Sequence, residues 1–558
     1  MDPIPSLIET GSVDLSVVSL GVLGAYLVML LVIGYYGYRR SVTSEEDYYL
    51  ARRQQGWVVS SLTIMATFFS SFALLGVPGM VYKEGVVLAL FALNVPVAGA
   101  AVYVLGSRIS RLGRARNCVT PADLLSQYYD SPVAMPILLA LVGFLFTVPY
   151  VVMQINAGGI ISQVIFPEAE YSFEIGTVIL AVITMIYIMV GGMRSVSWTD
   201  VIQGALLIGG MLLAGLATVA ALGGIGGFFE KVSHLPPRSL AVPGVTGSWT
   251  AWKLFTVVTF AALGSIIQPA QWIRFYSARS TNTLRRSALI FGTVLTISYL
   301  FGVMLVGLGG QSLFPIVNEA GHYLTNASGQ LIPHPAVGSG PQDFDKILVV
   351  VLKSTLPSLL GPAGVFMTAL FLMAIMGASM STADSNLHAL SAVVTRDVYG
   401  RYIRPGASQR ERTWVGRSII AIATVLALIL IFIGRTSEHF NPVAMIAQMA
   451  LLAISFATQL LPLTVDMLFL NRGSRAGAVA GLITGLAIVF AFTPFFGMLA
   501  GEVSVINTLR NALDTGAVGL IGNVAVFAIV SAFTRRLDEG HVARFREAAE
   551  PPVAPPGY

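Results

Sequence analysis

Four polar side chains, Ser381, Thr382, Asp384 and Ser385, interrupt a long apolar run of the chain. On a helix, Ala378, Ser381, Thr382 and Ser385 recur at spacings of three and four, so a backbone carbonyl and three hydroxyls can share one face. A hard cation wants several such neutral or anionic oxygens around it. The same hydroxyls also serve close helix packing, or bond to carbonyls one turn back, and both readings stay open at this point. Asp384 in this run and Asp200, in Trp-Thr-Asp at the start of another, add two carboxylates. A charge inside a bilayer costs roughly 3 kcal/mol or more and usually marks function.

The elements that must position these groups are membrane spans. Of the 558 residues, 55% are hydrophobic and only 11% charged, and the mean hydropathy is +0.77. A soluble chain carries roughly 25% charge, so a soluble multidomain enzyme is excluded. The net charge is only +5, with basic residues spread over short loops, which gives nucleic-acid binding no support. A lone cysteine, Cys118, rules out intrachain disulfides, Fe–S clusters and Cys-based zinc sites.

A spanning helix needs about 20 apolar residues, and thirteen stretches qualify: 17–38, 57–82, 86–105, 133–165, 175–190, 199–221, 251–273, 288–309, 361–394, 418–433, 443–468, 476–496 and 517–533. They are numbered 0 to 12 below. With the N-terminus outside, 25 of the 33 Lys and Arg fall in cytoplasmic segments, as the positive-inside rule requires. All five lysines, with Arg238, Arg435 and Arg510, then lie outside. The expected organisation is 1–56 (outer N-terminus, first span and cytoplasmic loop), 57–222 (a first set of five spans), 223–250 (an outer loop), 251–468 (a second set of five, with the outer loop 310–360), 469–536 (two accessory spans) and 537–558 (a disordered cytoplasmic tail). Within 310–360, residues 344–356 have helical spacing.

An ATP-driven pump needs a phosphate-cradling loop ending in Gly-Lys-Ser/Thr, and none of the lysines follows a glycine. A gradient-driven carrier, a channel or a membrane sensor remains. Carriers commonly break helices at matching positions of two halves. Span 1 reads IMATFFSSFALLGVPG and span 6 reads FAALGSIIQPAQWIRF, each interrupted by Gly and Pro. Five spans separate them, which fits two repeats of opposite direction.

Four segments also carry a family resemblance: SVTSEEDYYLARRQ, GGMRSVSWTDVIQG, QPAQWIRF, and ASMSTADSNLHALSAVVTRDVYG from Ala378 to Gly400. Together the chain resembles the sodium:solute symporter family over roughly 41–468. The resemblance implies an all-α membrane protein with a LeuT-type core of inverted five-helix repeats, and Na+ as the coupling ion. By motif, it implies a sodium site from the carbonyls of Ala66, Phe69 and Ala378 with the hydroxyls of Ser381 and Thr382. A second sodium at Asp200, Ser381, Asp384 and Ser385 stands beside an alternative in which Asp200 caps a helix, or pairs with Arg194 or Arg396.

Candidates for the solute pocket are Phe68, Ser70, Ser71, Gln154, Gln268, Gln271 and Gln459. No Lys or Arg is expected at mid-depth. Proline carriers of the family have an aspartate where Phe68 stands, so the solute is expected to be a carboxylate, another amino acid or a pantothenate-like molecule. The implied protein is a multi-pass symporter of the cell (inner) membrane, with bilayer, sodium and a small organic solute as partners. The alternatives are a proton-coupled carrier and a solute sensor on the same fold; sensors of this kind append a signalling domain, and only about 22 residues follow span 12. His388 reads as structural, and Asn326-Ala327-Ser328 as a glycosylation acceptor on the outer side.

Overall fold

The computed structural model describes residues 14–40, 45–436, 446–493, 496 and 504–549. Among them nine helices are long and apolar enough to cross a bilayer, and three bent pairs raise the number to twelve. Span 0 is Leu15–Arg40. Span 1 is Trp57–Phe68 with Phe72–Glu84, span 2 Val86–Ala115, span 3 Ala134–Ile165, span 4 Ser172–Met189 and span 5 Val196–Ala221. Span 6 is Ala251–Ile267 with Pro269–Ser277, span 7 Thr281–Leu313, span 8 Pro362–Ile403 and span 9 Gln409–Arg435. Span 10 is Ile446–Thr458 with Leu461–Leu470, and span 12 is Thr515–Phe533. Large apolar side chains such as Leu31, Leu289 and Phe533 stay exposed, as a surface facing lipid requires.

The expected span 11, 476–496, forms the 17-residue helix Arg475–Ala491. At 1.5 Å per residue it reaches about 26 Å, at the lower edge of the length a crossing needs, so twelve spans are established by length among the described residues and the expected count of thirteen rests on this helix. It packs along span 12, its Gly477, Gly481 and Gly485 set against Ser531, Phe527 and Asn523. The expected limits 443–445 of span 10 and 494–495 of span 11 lie outside the described residues, as does 1–13.

Helical backbone runs through Ser172–Ala221 without interruption, yet this is two spans. The hydroxyls of Tyr187 and Thr199 lie 2.6 Å apart, whereas twelve residues of straight helix rise about 18 Å. Both ends of the segment, at Ser172 and Ala221, line one surface groove with Asp14, Gln163, Gln311 and Lys353. On the opposite face, Arg108, Arg285, Leu468 and Arg546 line another cavity. The span ends therefore sort into two sides in the alternation read from the arginines.

The two sharpest of the three bends, in spans 1 and 6, have local causes. Span 1 turns by 60° where Phe69 adopts an extended backbone, φ −94° and ψ 102°. Span 6 turns by 56° at Gln268, φ −57° and ψ 150°. Pro269 follows Gln268, and proline disfavours helical geometry in the residue before it.

The tail departs from expectation. Rather than being disordered from 537 onward, it forms the helix Glu539–Ala549, and residues 550–558 lie outside the described residues. Phe545 is 1% exposed, packed edge-on against Tyr128 and under the Arg116 guanidinium. A single aromatic anchor thus orders a segment whose average composition is polar. His388 is buried against the rings of Tyr48 and Tyr49, tying the short helix Glu45–Leu50 to span 8.

In the loop between spans 7 and 8, a 3-10 turn, Asp343–Lys346, leads into the helix Ile347–Leu360. Asp345 is buried between span 1 and span 10, where it accepts a hydrogen bond from the Ile446 amide at 2.7 Å. A Cβ at Gly79 would come 2.8 Å from its other oxygen, so only glycine permits this approach. Burial pushes the Asp345 carboxyl up to about 7; Asp343, itself paired with Lys346, acts in the same direction, while the Ile446 amide and Lys83 act against it. A raised carboxyl pKa means that the folded state holds the proton more tightly than the unfolded chain, so stability falls as pH rises from about 4 to about 7. The melting temperature of the wild type should decline across that window, and Asp345→Asn should remove most of the decline. An unchanged slope in the variant would refute this account.

Candidate ion and solute site

The break in span 1 frees backbone oxygens from the helical ladder beside span 8. Both hydroxyls at the front of the span 8 motif point at one of them: Thr382 Oγ1 donates to the Ala66 carbonyl at 2.7 Å, and Ser381 Oγ approaches the same oxygen at 3.4 Å. Ser381 Oγ also lies 2.9 Å from the Ala378 carbonyl. Four of the five expected ligand atoms, from Ala66, Ala378, Ser381 and Thr382, therefore form one buried cluster. Phe69, the fifth residue, is the extended residue at the break, and its ring packs edge-on against Tyr299. An assembly of neutral oxygens matches a hard monovalent ion; among the described residues no cluster of three or more His, Cys, Asp or Glu suits a transition metal.

Next to it lies a charged chain of contacts. Asp200, fully buried, accepts from the Thr63 hydroxyl and pairs with Arg274 at 3.3 Å. The same guanidinium donates to Ser385 Oγ, which is 3.1 Å from Asp384 Oδ1. Arg274 Nε is held by the carbonyl and hydroxyl of Thr63, each at 3.1 Å. Asp200 Oδ1 and Asp384 Oδ2 are buried without hydrogen-bond partners among the described residues. Two carboxyl groups thus share one guanidinium.

This corrects two expectations. Arg274, assigned to a cytoplasmic segment, is 1% exposed and inside the bundle, so the interior does contain an arginine. Asp200 pairs with it rather than capping a helix; Arg396 is engaged by Asp123 at 3.1 Å, and the Arg194 side chain lies outside the described residues. A cation beside an apolar run reads as a loop residue. The signal that would have placed it is the Gln268-Pro269 break, which starts a new helical segment, Pro269–Ser277, with Arg274 in its interior.

The solute candidates divide. Ser70, Ser71 and Gln154 come together at the span 1 break: Gln154 Oε1 accepts from the Ser71 amide at 3.2 Å and the Ser71 hydroxyl at 2.8 Å. Ser70 Oγ is 3.5 Å from the Tyr150 hydroxyl, a residue sequence reasoning missed because a tyrosine in an apolar span reads as core. Gln268 sits at the span 6 break with its Oε1 unpartnered among the described residues, as is Gln154 Nε2. Phe68 packs edge-on against Phe291. Gln271 donates to the Ile64 carbonyl at 3.3 Å and so ties span 6 to span 1. Gln459 is removed from the pocket altogether: it donates to the Gly516 carbonyl at 3.2 Å, and its own carbonyl accepts from Asn523 at 2.9 Å, both in span 12.

Two broken helices five spans apart, with polar groups gathered at the breaks, define a LeuT-type membrane carrier. The solved structure of a Na+-coupled sialic acid symporter, in a substrate-bound outward-open state, shares this fold with a TM-score of 0.71 over 94% of this chain and 99% of its own, at 18% identity. The model of the sodium:solute symporter family matches residues 48–485, and the chain belongs to that family. Relatives include the sodium/pantothenate symporter of Escherichia coli (strain K12), 26% identical over 83% of this chain and 87% of the relative. The sodium/proline symporter of the same organism is 26% identical over 84% of this chain and 86% of its own. As a family member the chain is a sodium-coupled symporter of a small organic solute, and not an enzyme.

Proposed function

We propose that one sodium ion binds where spans 1 and 8 meet, held by the carbonyls of Ala66, Phe69 and Ala378 and the hydroxyls of Ser381 and Thr382. The observation that carries this is the convergence of Ser381 and Thr382 on the Ala66 carbonyl. Bridging a broken span to an unbroken one, the ion favours the outward-open arrangement that accepts solute, and closure then releases both inward. The driving force is about 2.3 kcal/mol per charge per 100 mV, plus the concentration term.

The solute site lies at the breaks of spans 1 and 6, around Ser70, Ser71, Gln154 and Gln268, with Phe68 and Tyr150 as walls. Gln154 Nε2 offers a donor and Gln268 Oε1 an acceptor, which suits a small carboxylate, an amino acid or a pantothenate-like molecule. The relatives that carry pantothenate and proline support this side of the family. Uptake of labelled candidates into proteoliposomes, with and without a sodium gradient, tests the reading. Uptake that follows a proton gradient alone would reject it.

Asp200, Asp384, Ser381 and Ser385 form a second cation site in this scheme, since two buried carboxylate oxygens stand unpartnered there among the described residues. Asp384→Asn should then lower the charge moved per solute while uptake persists. An unchanged charge-to-flux ratio would leave only the first site.

The membrane is the bacterial inner membrane, with the N-terminus outside and the C-terminus in the cytoplasm, supported by the arginine asymmetry. In a background lacking Cys118, cysteines at Glu230 and Gln342 should react with an impermeant thiol reagent added outside, and those at Arg410 and Arg536 only from inside. The reverse pattern would invert the orientation.

A further inference from the structure

We infer that a phosphate-bearing headgroup of an anionic phospholipid binds in a cavity of about 570 Å³ on the arginine-rich side, between the ends of spans 2, 7 and 10 and the helix Glu539–Ala549. Four arginines line it, Arg108, Arg111, Arg285 and Arg546, and among the described residues no Asp or Glu does. Among the described residues none of the four has a carboxylate partner. Three of them are held in place by something other than an anion. Arg108 donates to the Leu468 carbonyl at 2.9 Å and lies 4.3 Å over the Phe469 ring. Arg111 donates to the Ala549 carbonyl. Arg285 stacks over Tyr103 at 5.4 Å, with its Nε buried and unpartnered among the described residues.

Guanidinium groups fixed close together repel one another, and the geometry presents several planar donors to one space. Phosphate oxygens accept such donors in pairs. The choice of a lipid over a free anion follows from the cavity's other wall. Tyr103 and Val104 line it and are 40% and 45% exposed, and Leu470 beside it is 58% exposed. That apolar surface runs toward the bilayer, where acyl chains would lie. Basic pockets between spans at this depth are suited to anionic headgroups. The helix Glu539–Ala549 supplies Arg546 and the Ala549 carbonyl, so an occupant would also secure that helix.

The test uses the full-length protein in a neutral detergent, titrated with phosphatidylglycerol, phosphatidylcholine or inorganic phosphate, with thermal stability and lipid-bound mass as readouts. Phosphatidylglycerol should stabilise the wild type and remain bound, and phosphatidylcholine should not. Arg111→Gln with Arg285→Gln should weaken the phosphatidylglycerol response about tenfold or more, since each basic residue near an anionic lipid contributes substantially. Arg546→Gln, at an exposed position, keeps the test available if that pair does not fold, and should weaken it several-fold. Arg410→Gln with Arg536→Gln removes equal charge elsewhere and should leave the response intact. An equal loss in that control would overturn the site in favour of general electrostatics. Full stabilisation by inorganic phosphate would overturn the lipid assignment. If Glu550, next along the chain, were the occupant, Glu550→Gln would destabilise the lipid-free protein as much as the arginine pair does, and that result too would overturn the proposal.

Discussion

Arg274→Gln should destabilise the protein by about 3–5 kcal/mol, the usual consequence of removing one partner from a buried ion pair. The loss is large against a total stability of about 5–15 kcal/mol, so low yield in the membrane is expected as well. The guanidinium is 1% exposed and Asp200 is fully buried, so solvent does not step in for the lost partner. Arg274 also holds both oxygens of Thr63 and the hydroxyl of Ser385, so one side chain joins spans 1, 5, 6 and 8. Adding Asp200→Asn removes the stranded charge and should recover a substantial part of the loss. Denaturation of the two variants in detergent, beside Arg410→Gln as an exposed reference, measures both effects. If Arg274→Gln lost no more than Arg410→Gln, the pair would be ornamental and the second cation site would lose its positive neighbour as a design element.

Ser381→Ala with Thr382→Ala should raise the sodium concentration for half-maximal uptake at least about tenfold, equivalent to about 1.4 kcal/mol. Two of the five proposed ligands disappear, while small residues still allow spans 1 and 8 to touch. In the present arrangement both hydroxyls turn toward the Ala66 carbonyl, which an ion would engage instead. Ser379→Ala is the matched comparison: its hydroxyl bonds the Ile375 carbonyl at 3.0 Å within span 8, and its loss should leave the sodium requirement unchanged. Identical sodium activation in the wild type and the Ser381/Thr382 double variant would mean that these hydroxyls serve packing alone.

Much of this protein was legible one residue at a time. The spans followed from apolar length, their alternation from the placement of arginines, the span 6 break from Pro269 and the span 1 break from the run Thr67 to Ser71, whereas Gly76 and Gly79 proved helical; each depends on interactions within a few residues of chain or with the bilayer itself. The front of the proposed sodium cluster was legible too, since Ala378, Ser381 and Thr382 share one face of one helix by periodicity. What periodicity could not assign was direction across the bundle. Gln459 and Gln154 are the same residue type in similar apolar settings, yet one turns to span 12 and the other to the span 1 break. Which neighbour a buried amide meets depends on how the helices are rotated and packed. Arg274 and Phe545 teach the same lesson. A charge next to an apolar run and an aromatic in a polar tail look like loop residues in sequence, and only the tertiary structure supplied Asp200 for the one and Tyr128 with Arg116 for the other. Buried polar and isolated aromatic groups take their stability from partners far away in the chain, so their placement was decided by the fold.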